Sequence, residues 1–135
     1  MPRGDRTPFV AGRTLVQVPA MLNRGLRVAL IADTGAERMV ISRLTAQQLG
    51  IDLSQPRRFE PLVGLGRTAS VPVVLLDRVQ VGGSLVERLE ASVYDLPPAF
   101  RADGLLGLTF LRRFRVTFEF DARSLVLCEP LRKSP

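Results

Sequence analysis

A buried-looking strand that ends on a carboxylate constrains this chain more than any other feature. Val28-Ala29-Leu30-Ile31-Ala32 is a continuous apolar run, and Asp33-Thr34-Gly35-Ala36 follows it directly. A carboxylate at the end of such a strand is costly unless it is hydrogen-bonded, paired or engaged in chemistry. The small hydroxyl residue and the glycine after it let the backbone turn sharply, close to the carboxylate and to whatever binds it. On the motif alone, an Asx-type turn in which Asp33 caps its own loop is an equal alternative.

Composition narrows the chemistry available. The 135 residues contain no histidine, which excludes Ser-His and Cys-His nucleophilic catalysis, His-ligated zinc and imidazole bases together. A lone cysteine, Cys128, permits neither an intrachain disulfide nor a Cys-rich metal site, and is read as a small buried hydrophobe. No metal or other cofactor is therefore expected, and carboxylates are left as the chemical workers. The net charge of +6 comes from basic residues spread along the chain, with the tightest group at Arg112, Arg113 and Arg115. Without a basic stripe or a nucleic-acid-binding motif, nucleic acid is not an expected partner. The first residues lack the apolar core of a secretion signal, and no apolar run approaches the roughly 20 residues of a membrane span. A cytoplasmic protein, or a domain of a longer one, is expected.

A chain of this length forms one domain that buries about two-thirds of its unfolded surface. The eleven glycines and ten prolines are scattered, which suggests many short strands and turns. Residues 9–18 read as a strand, although both of its faces carry apolar side chains. Asn23-Arg24-Gly25 is a turn, and Leu26 to Ala32 is the buried return strand that delivers Asp33 to a loop. Met39-Val40-Ile41 is a short strand. Ser42 then caps a helix from Arg43 to Leu49 that stops at Gly50, with Leu44 and Leu49 as its core contacts.

Beyond the helix, Phe59 to Val74 reads as two strands around Gly64-Leu65-Gly66. Val79 to Val81 and Leu85 to Tyr94 pair across Gly82-Gly83. A loop at Pro97-Pro98 precedes Asp103-Gly104-Leu105-Leu106-Gly107 and a short helix around Thr109 to Arg113. Val116 to Phe120 and Leu125 to Cys128 flank a last turn. A faint repeat relates the halves, each with strands, a glycine-bearing loop (33–35; 105–107) and a short helix. Asp95, Asp103 and Asp121 sit in turn contexts and are assigned no chemistry.

Three elements in order resemble the retropepsin-like (retroviral-type) aspartic peptidases, in particular their single-domain bacterial members. Leu30 to Ala36 resembles the catalytic signature. Val63-Gly64-Leu65-Gly66 falls where that family carries the tip of its flap hairpin. Asp103 to Leu111 resembles the hydrophobic-hydrophobic-glycine motif and its helix, and Arg112-Arg113-Phe114 is similar to the ending of bacterial members. The resemblance covers roughly residues 10–130. It implies an all-β fold, an acid-protease-like closed barrel lobe with one or two short helices, a flap hairpin and a dimeric state.

The same resemblance implies site roles. Asp33 would be the catalytic carboxylate, Thr34 a cross-brace between two active-site loops, and Gly35 and Ala36 the close-approaching backbone beside it. Gly64, Leu65 and Gly66 would close over substrate; Leu105, Leu106 and Gly107 would pack beneath the catalytic loop. Thr109 departs from the acidic or amide residue that related sequences often carry there. The reaction needs two carboxyl groups, one as base and one as acid, and this chain has one Asp-Thr-Gly. The second Asp33 must then come from a second copy across a two-fold axis, which makes a homodimer and a peptide or protein substrate the expected partners. The alternative is a catalytically silent dimeric module of the same fold that holds an extended peptide by strand-like pairing.

Overall fold

The computed structural model describes residues 4–64 and 67–130. It is built almost wholly of strands: β1 (Asp5–Pro8), β2 (Gln17–Leu22), β3 (Leu26–Ala32), β4 (Met39–Ile41), β5 (Arg58–Gly64), β6 (Arg67–Val81), β7 (Ser84–Val93), β8 (Gly104–Leu106), β9 (Arg115–Glu119) and β10 (Ser124–Cys128). Two short helices, α1 (Arg43–Gln48) and α2 (Leu108–Leu111), interrupt them. The large sheet runs β2-β3-β8-β4-β7-β6-β5, and an added β2–β6 pairing closes its first six strands into a barrel. That closure rests on Met21 opposite Gln80 and Leu22 opposite Val79. Closing the sheet removes the open edges that a flat sheet would present. The expected all-β barrel is the observed fold.

The barrel interior is filled by alternate side chains of these strands, with Leu22, Leu30, Met39, Ile41, Leu76, Leu106 and Phe110 fully buried. A smaller sheet, β1-β10-β9, packs against it through Leu125 and Leu127, which share the same core. Asp5 ties the two sheets at one end: its carboxylate accepts from Gly83 N–H (2.9 Å) and Ser84 Oγ (2.8 Å).

The hairpin with its turn at Asn23 to Gly25, the strand over Leu26 to Ala32 and the strand over Met39 to Ile41 form where the sequence places them. So does the capped helix. Ser42 Oγ accepts from Thr45 N–H at 3.0 Å, and Gly50 takes the positive φ of a helix stop. Its buried residues, however, are Thr45 and Ala46; Leu44 points to solvent at 62% exposure, and only Leu49 packs on the core. A six-residue helix presents one short stripe inward, and Leu44 is not on it.

The expected strand over 9–18 forms only at its end, where Gln17 and Val18 open β2; residues 9–16 are not strand. Phe9 N–H bonds Arg123 carbonyl, Val10 N–H bonds Gln17 carbonyl, and a turn at Ala11-Gly12 (Gly12 φ +74°) folds the segment into a connection between the two sheets. Strand structure falls on either side, in β1 and β2. The loop at Pro97-Pro98 contains one 3₁₀ turn, Pro98–Phe100. The short helix after Gly107 begins one residue earlier and ends two earlier than expected.

The repeat is real in topology but pairs differently from the expectation. β3 runs parallel to β8, β4 runs parallel to β7, and β4 and β8 cross antiparallel between them. A two-fold operation therefore exchanges β2-β3-β4-α1 with β6-β7-β8-α2. Gly107, the residue before α2, matches Ser42 rather than the Asp33 loop. The counterpart of Asp33 is Tyr94: Asp33 N–H donates to Leu106 carbonyl (3.0 Å), and Tyr94 N–H donates to Ile41 carbonyl (2.9 Å).

Candidate active site

Asp33 leaves the barrel where β3 and β8 end together, with Ile31 opposite Leu105 and Ala32 opposite Leu106. Its N–H is fixed on β8, and its carbonyl accepts from Ala36 N–H (3.2 Å) to close a tight turn. Its carboxylate Oδ1 accepts from Gly35 N–H at 2.8 Å, so one lone pair is directed and the other oxygen is left to the surface. A Cβ on residue 35 would sit 3.1 Å from that Oδ1, tighter than an ordinary contact. Glycine is thus what lets the backbone fold over the acid. Asp33 and Ala36 are half-buried, while Thr34 and Gly35 are exposed.

Leu105, Leu106 and Gly107 lie directly against this loop. Leu106 is fully buried and Leu105 half-buried. Gly107 has φ −95° and ψ −174°, a backbone any residue adopts, so its requirement is spatial. A Cβ there would lie 2.7 Å from the Arg38 carbonyl carbon and 2.9 Å from Ala36 O. With no side chain in the way, the start of α2 comes close enough to bond the loop: Leu108 N–H to Ala36 carbonyl (2.8 Å) and Thr109 N–H to Glu37 carbonyl (3.0 Å). Gly104 is equally constrained, since a Cβ there would meet Val40 carbonyl carbon at 2.9 Å.

Thr109, the departure from the family pattern, has a buried Oγ1 that finds no partner among the described residues. Asp95 and Asp103 have structural duties. Asp95 Oδ1 accepts from Arg43 N–H (2.9 Å), and Asp103 Oδ2 accepts from Ala29 N–H (2.8 Å). Gly64 is the last residue of β5, opposite Arg67; Leu65 and Gly66 lie outside the described residues. Cys128 is half-buried at the end of β10.

Two features near the loop carried no signal in the sequence. Gln17 is buried and gives its Nε2–H to Phe100 carbonyl (2.9 Å), which ties the 94–103 loop to the start of β2. Arg38 reaches across to Glu60 on β5, Nη2 to Oε2 at 2.6 Å. Glu60 also accepts from Arg58, and Arg58 makes a bidentate pair with Glu90 (2.6 Å for each bond). The Arg58 guanidinium holds the Glu90 carboxyl well below the usual range, at about 2, and lowers Glu60 in the same direction. Opposite charges far apart in sequence meet only when β5 is laid beside the loop, so no local pattern announces them.

Among the described residues no group of three or more His, Cys, Asp or Glu is placed to hold a metal, and no helix is long and apolar enough to cross a membrane. Two surface depressions, of about 510 Å³ beside Asn23 and Gln48 and about 270 Å³ beside Thr7 and Met21, include no residue of the 33–36 loop.

Residues 18–110 match the family model for aspartyl proteases. In fold the chain is similar to a retropepsin-like aspartic protease from Rickettsia conorii (21% identity, 92% of this chain and 89% of that one covered, TM-score 0.69). It is also similar to the retroviral protease-like domain of Ddi1 from Leishmania major (19% identity, 87% and 94% covered, TM-score 0.59). At these identities the likeness is one of fold. Among curated proteins none matches.

Proposed function

Because the chain belongs to the aspartyl protease family, we propose that it is an endopeptidase that works as a homodimer, with one Asp33 from each copy. The observation that carries this reading is the loop itself. A half-buried carboxylate is held by Gly35 N–H on one oxygen, at the end of a strand locked to β8. The bond from Gly35 N–H is that of an Asx turn, so the local role is present as well. What favours chemistry beyond it is the second carboxylate oxygen, which accepts no bond among the described residues, together with the family match over residues 18–110.

The reaction uses one Asp33 as a carboxylate base and its partner as an acid. The carboxylate takes a proton from water as the water oxygen bonds the peptide carbonyl carbon. The acid gives its proton to the carbonyl oxygen. The resulting gem-diol collapses: one hydroxyl returns its proton to a carboxylate, the C–N bond breaks, and the other carboxyl protonates the leaving amine. No covalent intermediate, metal or cofactor is required. Thr34, exposed in the single chain, is assigned to bridge the two loops, and the β5–β6 hairpin to cover the bound peptide.

The test is Asp33→Asn, which fills the same space but cannot act as a base. The variant should keep the wild-type circular dichroism spectrum and lose cleavage of an unfolded protein substrate. Cleavage at the wild-type rate would remove Asp33 from the chemistry.

A further inference from the structure

The β5–β6 hairpin overhangs the barrel. β6 pairs with β7 only from Val73 onward, where Val73 faces Ser92; residues 67–72 have only β5 as a strand partner, and β5 has only β6. The hairpin is carried out of the barrel by the continuous β6 strand, and beyond Val73 it has no further strand partner to hold it, so side chains at its root add to what fixes its angle. Part of that root is apolar, with Val71, Pro72 and Val73 buried, and part is charged. Arg58 and Glu60 stand on β5, Glu90 on β7, and Arg38 closes the array from the loop side, its Nη1 also 3.5 Å from the Ser92 hydroxyl.

Arg38 is a fixed post. Its main chain lies directly before β4 and against Gly107, and the two residues before it, Ala36 and Glu37, accept backbone bonds from Leu108 and Thr109. Exposed ion pairs contribute little to stability, but here the Arg38 and Glu60 side chains are only 20% and 30% exposed. A partly shielded pair joined by a charge-assisted contact, with Arg58 bonding the other Glu60 oxygen, is directional as well as attractive.

We propose that Arg38 and Glu60 form an electrostatic latch that sets the angle of the β5–β6 hairpin over the Asp33 loop. Both are positioning residues rather than catalytic ones. Their effect on substrate rests on the peptidase reading above, whereas their effect on the hairpin does not.

The test is a double-mutant cycle, Arg38→Met and Glu60→Gln, read by amide hydrogen exchange over residues 59–63 and 68–72 and by peptide kinetics. Each single variant should speed hairpin exchange, and raise KM more than it lowers kcat, by about tenfold, within the span of coupling between contacting charges. The double variant should be no worse than the worse single. Arg38→Lys should recover part of the loss. Salt should loosen the hairpin in wild type but not in the double variant. Arg6→Gln, which breaks an ion pair with Glu119 on the small sheet, should leave hairpin exchange unchanged. Additive effects in the cycle, or wild-type exchange in both singles, would overturn the latch. Full cleavage by Asp33→Asn would overturn the peptidase reading and leave the exchange result to decide the latch.

Discussion

Replacing Gly107 with alanine is the sharpest probe of how the barrel holds its carboxylate. The backbone there costs nothing, since φ −95° and ψ −174° suit any residue. The whole effect is the methyl group, which would stand 2.7 Å from the Arg38 carbonyl carbon and 2.9 Å from Ala36 O. Carbon contacts are comfortable near 3.5–4.0 Å, so the 36–38 segment or α2 must retreat by about 1 Å. Both neighbours are main chain, so no side-chain rotation can relieve the clash. Overpacking of this kind costs about 1–3 kcal/mol. The retreat also stretches the Leu108–Ala36 and Thr109–Glu37 bonds, at about 1 kcal/mol each.

A total loss of roughly 3–5 kcal/mol should lower Tm by about 10–20 °C in a chain of this size. Displacing the stem of the Asp33 loop by about 1 Å should cost cleavage roughly a hundredfold in kcat/KM. Thermal unfolding by circular dichroism and peptide cleavage, measured on the same preparation, check both. Gly50→Ala is the control: it has open space but a φ of +75°. It should lose about 1–2 kcal/mol to backbone strain without a specific loss of activity. A Gly107→Ala protein that melts within a degree of wild type and cleaves normally would refute the claim that this glycine clears space beneath the loop.

Further outcomes follow from the same geometry. Glu90 is held at about 2 by Arg58, so its contribution to stability is present above its unfolded value and lost as pH falls towards about 2. Glu90→Gln should therefore melt lower than wild type at neutral pH, with the difference shrinking between about pH 4.5 and 2; a constant gap would contradict it. Thr109→Val removes a buried hydroxyl with no partner and should raise stability by up to about 1 kcal/mol, measured by denaturant midpoint. Because an amide cannot add to the repulsion between two ionised carboxylates, Asp33→Asn should dimerise at least as well as wild type at alkaline pH in sedimentation. Weaker association of the variant would mean that the carboxylates do not meet across the axis.

What the sequence determined by itself was local. The apolar run from Leu26 and its end at Asp33 are set by strand burial and a turn that needs glycine. Ser42 and Gly50 mark a helix through cap chemistry that spans a few residues. The order of the Asp33, Gly64 and Gly107 elements indicated the family, and the barrel follows from it. Tertiary structure decided the rest, because the quantities involved are distances between segments. Residues 9–18 had apolar content on both faces, so alternation could not place a strand, and the turn at Gly12 is fixed by bonds to Arg123 and Gln17. Leu44 is exposed because so short a helix meets the core on one narrow stripe. Both glycine-bearing segments looked equivalent in sequence, yet strand pairing makes Tyr94 the counterpart of Asp33 and puts Gly107 under it. Arg38 and Glu60 are ordinary charged residues until β5 is folded against the loop. Only then do they share partly shielded space, and only then does their attraction fix a position.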